Sequence, residues 1–413
     1  LATDDVKIAV VNATTGTSSG NRTIDAPTGF GTPKAIMLLM TRTTTFESST
    51  AHANVSVGFA DASNDVMIVP CAEDNQPTTD TWTGRHTSRC GWMTNIASHG
   101  TDFLVQVDSF GTDEVVLNFS AAPASDFKMC VVFFGGDDLQ VKVGYSNTFT
   151  EDITTVGFEP TVVLLACTNR EVTAASTDPA TLGIGASDGS DQCGMHIVSA
   201  SNKTAGDPRA MISGSYALLW DENDYCSVGS FDSNGFTITQ SSGTKPDGAI
   251  YLALETGDHS VWVDAIESPT SHSTDWDVSS VGFKPQFLLL GMTALEALDD
   301  ESLLGNGGTM AISVTDGTNE FCVNITEEDD EPDTNSRTVT ADRLMYVMED
   351  DGTSTLFEGD TAVFDSGGWT VAADDLDDCD GTTRYFMALA IEETEESASI
   401  IPQVMYHRRQ MGA

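Results

Sequence analysis

The chain has 413 residues, with 63 acidic side chains against 18 basic ones and a formal charge of −45. Such a charge repels phosphate backbones and anionic lipid, so nucleic acid and membrane are excluded as partners. No apolar run reaches the ~18 residues a membrane-spanning helix requires.

Gly, Thr, Ser, Asp and Val dominate, and long helical patterns are missing, which predicts short strands joined by turns. The first strand is expected at Val6-Lys7-Ile8-Ala9-Val10. It is followed by Gly29-Phe30-Gly31-Thr32-Pro33 and the apolar run 35–40. Next come a Gly/Asp-rich segment (57–61), a Phe-turn element (109–113) and a closing apolar strand (127–134).

The same five or six markers then return in the same order. Leu139 to Val143 opens a second copy, Gly157-Phe158-Glu159-Pro160 precedes the run 162–165, and Phe231-Asp232-Ser233-Asn234-Gly235-Phe236 precedes the closing strand 249–254. A third copy runs from Val261-Trp262-Val263 through Gly282-Phe283-Lys284-Pro285 and Phe364-Asp365-Ser366-Gly367-Gly368-Trp369 to 385–391. Self-similarity at roughly 125 residues is the signature of tandem modules. The predicted fold is all-β, three tandem antiparallel, jelly-roll-like β-sandwich modules of about eight strands each. Their boundaries are expected at 1–136, 137–257 and 258–394, with separate cores and a C-terminal docking tail over 395–413. The runs after each Gly-Phe-Pro alternate poorly, so they read as strands buried on both faces or at a contact between modules.

The residues offer little reactive chemistry. No H-E-x-x-H, G-x-S-x-G or P-loop pattern is present, and the seven histidines do not recur in register. No catalytic residue and no cofactor is therefore expected. Gly183 to Gly189 matches a dinucleotide fingerprint only in its letters and reads as a turn. Eight cysteines without a C-x-x-C pair argue against zinc; Cys71 and Cys90 flank a Thr-rich loop and are candidates for a bridge. The acidic run 327–331 reads as a solvated loop. Asp374, Asp377 and Asp380 are weak calcium candidates, because hard oxygen ligands crowd there without the spacing of a calcium loop. Six Asn-x-Ser/Thr sequons occur, among them Asn54 and Asn324.

The tail differs from everything before it. Its start, 397–401, repeats the module-opening strand without a module behind it. Ile400, Ile401 and Tyr406 are poor choices for a free end, and Arg408 and Arg409 stand side by side in an acidic chain. These five are the expected assembly residues, read as a strap on an acidic partner surface.

Gly-Phe-x-Pro before an apolar strand, followed by Phe-Asp-Ser-Asn-Gly-Phe-Thr-Ile and Ala-Ile-Tyr-Leu-Ala-Leu, resembles a repeated module of virion structural proteins of tailed bacterial and archaeal viruses. The resemblance is best over 157–255 and weakest in the first copy. It implies a tail fibre, spike or capsid-surface protein of the particle. Its partners would be other virion proteins, further copies of itself and a host surface glycan or protein. Together with the acidity and only seven lysines, it points to a halophilic or marine source. Two alternatives remain open. One is a secreted or cell-surface carbohydrate-binding array. The other is a polysaccharide-active enzyme, for which the loop holding Trp82, His86 and Trp92 is the candidate cleft.

Overall fold

A computed structural model describes residues 5–393 apart from 75, 77, 96–99, 149–150, 169–172, 178–179, 201–207, 222–223, 243–247, 272, 300–306, 329–335, 349–354, 361, 374–375 and 378–380. The described residues are all-β, and every paired strand is antiparallel. Three sheet pairs follow one another along the chain. In the middle one, a six-stranded sheet has the order 140–145, 249–255, 162–167, 180–187, 192–199, 208–213, and faces a four-stranded sheet of 151–153, 235–242, 224–232 and 218–221. The first and third pairs repeat the large-sheet order with 7–14, 128–135, 35–41, 53–61, 65–72, 81–86 and with 261–267, 385–392, 285–292, 307–315, 320–328, 336–341.

Six strands over four in the first two copies, and six over two three-stranded sheets in the third, replace the expected eight. First pairs with last in every copy, and second with second-last in the first two, so this nesting is confined to the outer strands. The remaining strands of the large sheet are hairpin-linked neighbours. Register identifies equivalent positions: Val10, Val143 and Val263 lie opposite Val132, Leu252 and Leu389, which lie opposite Met37, Leu164 and Leu289.

Each large sheet is buried on both faces, which explains why its strands read as unbroken apolar runs. One face packs on the small sheet. Ile36, Leu38 and Met40 join Phe103, Val115 and Leu117 in this way, and Val163 and Leu165 join Trp220 and Ile238. The other faces of all three large sheets meet. Met37, Leu39, Leu164, Ile184, Leu252, Leu289, Ile312 and Leu389 belong to one continuous core. The expected separate cores are thus satellites around a shared centre. Equivalent residues Pro70, Ile197 and Ile325 converge there on a cavity of about 20 Å³.

Two backbone demands fix the sequence markers. Gly29, Gly157 and Gly282 have φ of +86°, +89° and +83°, a region costly for any residue with a Cβ. The phenylalanine after each then turns toward the small-sheet core; Phe30 and Phe283 are buried and Phe158 half-buried. The stretch 180–187 is a strand ending in a hairpin rather than itself a turn. Its Gly183 and Gly185 let the small sheet come close, since a Cβ there would sit 2.0 Å from Leu219 O and 1.9 Å from Ala217 O.

Trp82 and Trp92 correct the candidate cleft. They sit on strands Thr81–His86 and Gly91–Asn95, fully buried and 6.0 Å apart, in a small core with Met67, Val69 and Cys71. Cys71 and Cys90 are buried free thiols, not a bridge, and burial pushes the Cys71 thiol up to about 12. Asn54 and Asn324 are buried, so those sequons are closed to modification in the folded chain.

A charge of −45 on one molecule repels itself. Molar salt shortens the screening length to about 3 Å. The melting temperature is expected to rise between low and molar NaCl; a flat or falling trend sinks the salt-adaptation reading.

Candidate functional site: the seams between sheet pairs

The polar side chains that recur from copy to copy gather where one sheet pair meets the next. Asp61, Asp188 and Asp316 begin the same hairpin turn. Each accepts two turn N–H groups, from Ser63 and Asn64, Ser190 and Asp191, and Thr318 and Asn319 respectively. Two of them also reach the next pair. Asp61 accepts the Val143 N–H at 2.7 Å, and Asp316 accepts the Val10 N–H at 2.9 Å. The last sheet pair therefore holds the first as the first holds the second.

The outer strand of each large sheet is covered from the opposite direction. Thr173–Thr177 pairs with Thr81–His86, and Thr50–Ala51 pairs with Ser336–Ala341. At the middle seam the Asp299 N–H donates to Ile212 O at 2.9 Å, and its carboxylate accepts the Ser213 hydroxyl. Exposed sheet edges invite unwanted pairing, and here a neighbouring loop occupies each one. These contacts join the first pair to the second, the second to the third and the third to the first.

Charged side chains bridge the seams. Arg85, 1% exposed, donates to Ser146 O at 2.7 Å from the first pair into the second. Arg337 pairs with Asp74, and Arg343 with Glu47 at 2.6 Å, joining the third pair to the first. Glu327, expected in a solvated loop, is 2% exposed and accepts the Ser199 hydroxyl across the middle seam.

A second side-chain acceptor position recurs beside each hairpin, a carboxylate in two copies and an amide in the middle one. Asp65, Gln192 and Glu320 occupy it, and accept backbone N–H groups of Val107, Val228 and Ala362 at 3.2, 2.8 and 3.2 Å. Burial, the largest cause, pushes the Asp65 carboxyl up to about 7, and the Asp61 charge adds to it. Burial does the same to Glu320, again to about 7, with Asp360 and Asp316 adding repulsion.

Open grooves run along two seams at equivalent places. The first, about 730 Å³, lies between Pro33-Lys34, the hairpin 61–65, Phe110 and Gln140-Val141-Lys142. Its counterpart between the third and first pairs, about 650 Å³, holds Lys284-Pro285, the hairpin at Asp316, Phe364 and Lys7. Four of the seven lysines of the chain line these two grooves.

Of the residues predicted from sequence, Ile400, Ile401, Tyr406, Arg408, Arg409, Asp374 and Asp380 lie outside the described residues. Asp377 ends the strand Leu376–Asp377, whose partner is Thr355–Gly359. Among the described residues no group of three or more His, Cys, Asp or Glu is placed to hold a metal. The seam residues were not singled out from sequence, although Asp61, Asp188 and Asp316 stand at the same place in each copy, two of them before glycine. No protein-family model matches the chain, and no curated protein or solved structure matches it either.

Proposed function

We propose that the chain is a non-enzymatic structural protein on the surface of a tailed-virus particle, a tail fibre, spike or capsid decoration. In this reading it is three tandem copies of one β-sandwich module, closed into a ring that lets a single chain stand where a trimer otherwise would. The observation that carries the structural role is the reciprocal seam: Asp61 on Val143 and Asp316 on Val10 use the same hairpin carboxylate to close a ring. The Gly-Phe-x-Pro and Phe-Asp-Ser-Asn-Gly-Phe resemblance supports the virion setting. Mass spectrometry and immunogold labelling of purified particles test it. The expected result is a fixed copy number per particle at an exterior site. Absence from particles, or depolymerisation of a polysaccharide by the purified protein, overturns it.

The segment 395–413, with Ile400, Ile401, Tyr406, Arg408 and Arg409, is in this reading the anchor to neighbouring virion proteins. It follows Glu393, which lines the groove at the closing seam. Deleting 397–413 is expected to leave the melting temperature unchanged and to abolish incorporation into particles. Normal incorporation of the truncated chain removes the anchor role.

A further inference from the structure

The first and third sheet pairs are not consecutive in the chain, so contacts alone hold their seam. Residues 43–54 of the first pair cross it and lie along the outer strand Ser336–Ala341 of the third. The Glu47 N–H donates to Thr340 O at 2.6 Å, Thr50–Ala51 pairs with Arg337 and Thr338, and the His52 N–H donates to Ser336 O at 2.7 Å. The Thr338 hydroxyl returns a hydrogen bond to His52 O at 2.8 Å.

His52 is where this segment turns back to its own sheet. Its φ is +77°, a region costly for a residue with a Cβ, and the side chain is half-buried. The ring Nδ1 accepts the Asp74 N–H at 2.9 Å. The Asp74 carboxylate in turn accepts the Ser336 N–H at 3.3 Å and pairs with Arg337. His52 and Asp74 thus hold the same short stretch of the third pair, and the imidazole ties one to the other.

A ring nitrogen that accepts an N–H carries no proton. Adding one there sets a donor against a donor. Three charged groups face the ring: Asp74 from the loop after Asp65–Ala72, Arg42 from the end of Ala35–Thr41, and Arg337 from the outer strand of the third pair. Burial is the largest influence and favours the neutral ring. Asp74 opposes it and the two arginines add to it, which leaves the imidazole below its ordinary value of 6.5.

We propose that His52 is an acid-sensitive latch on the seam between the third and first pairs: protonation of Nδ1 releases Asp74 and loosens the hold on Ser336 and Arg337. The sheets stay folded, because His52 and Asp74 both lie outside the paired strands. A histidine kept neutral by the fold contributes stability that is present above its unfolded value of 6.5 and is lost as pH falls through the lower folded one. Glu320 in the same seam has the opposite sign, since its raised carboxyl is favoured by acid. The latch rests on the seam contacts and stands without the virion reading.

Amide exchange of the full chain, corrected for the intrinsic effect of pH on exchange, tests it. His52→Asn is the reference variant: its amide oxygen stands where Nδ1 stood, it tolerates positive φ, and it does not titrate. Between pH 8 and pH 5 the parent is expected to lose about tenfold more protection over 336–341 than this variant does. Glu320 and the other carboxyls are common to both proteins, so the comparison cancels them. His52→Ala removes the acceptor and should lower protection over 336–341 about tenfold already at pH 8. Equal losses in parent and His52→Asn, or an Ala variant as protected as the parent at pH 8, overturns the proposal. If acid lowers protection equally over the outer strand Pro208–Ser213 of the middle pair, the event is global and the latch assignment falls.

Discussion

The middle sheet pair, expressed alone as residues 137–257, is expected not to form a monomeric, cooperatively folded domain. Its large sheet presents Val162, Leu164, Leu182, Ile184, Met195, Ile212, Leu252 and Leu254 to the shared core, all buried in the full chain. Burying one such side chain contributes about 1.5–3 kcal/mol. Exposing even half of this contact costs on the order of 10 kcal/mol, against a total stability of about 5–15 kcal/mol for an ordinary domain. The full chain should therefore melt in one transition, and the fragment should aggregate or associate with itself. A homotrimer of the fragment would agree with the ring, since each copy carries both faces of a seam. A monomeric fragment with a sharp melting transition and dispersed amide resonances would show that the shared core is not required.

The repeat was legible because its markers answer to local backbone demands. A glycine at φ near +86° and a phenylalanine beside it are fixed within a few residues, and so is a Gly-containing hairpin. Burial on both faces was also legible, since the run Ile36-Met37-Leu38-Leu39 has no polar side to show water. What covers the second face was not. A strand packed on another strand in its own module and a strand packed on a different module have the same apolar alternation, so a contact between modules could be offered as one alternative but not chosen. The seam contacts were hidden for a related reason: Asp61 and Val143 are 82 residues apart, and Asp316 and Val10 are 306 apart. Trp82 and Trp92 misled because Thr, Gly, Arg and Ser around them read as loop, whereas that stretch forms two short strands around a small satellite core. The acidic run at Glu327 misled because charge usually means solvent. Here the strand Glu320–Glu328 carries that carboxylate into the centre, where Ser199 from the preceding pair meets it.

Replacing Asp65 by Asn and Glu320 by Gln together should stabilise the protein above pH 7 and change little at pH 4. Both carboxyls are held up to about 7 in the fold, first by burial and then by neighbouring acids, from ordinary values of 3.8 and 4.5. The folded chain thus holds protons there that the unfolded chain has released. Where the native state binds more protons than the unfolded one, stability falls as pH rises. The loss begins just above the unfolded values, near pH 4, and is complete once both groups ionise above about 7. A raised carboxyl costs at most about 1.4 kcal/mol per unit of displacement, so the pair together should cost about 3 kcal/mol at pH 8 after allowing for partial hydration. The equivalent position in the middle copy is already Gln192, whose amide oxygen accepts the Val228 N–H at 2.8 Å. An amide therefore fits the position without loss of its hydrogen bond. The double variant should melt about 3 °C above the parent at pH 8 and level with it at pH 4. The parent-minus-variant difference cancels the general self-repulsion of the chain, which both share. A gap that stays constant from pH 4 to 8, or a variant less stable at pH 8, would show that these two carboxyls are ionised and solvated rather than buried as protonated acceptors.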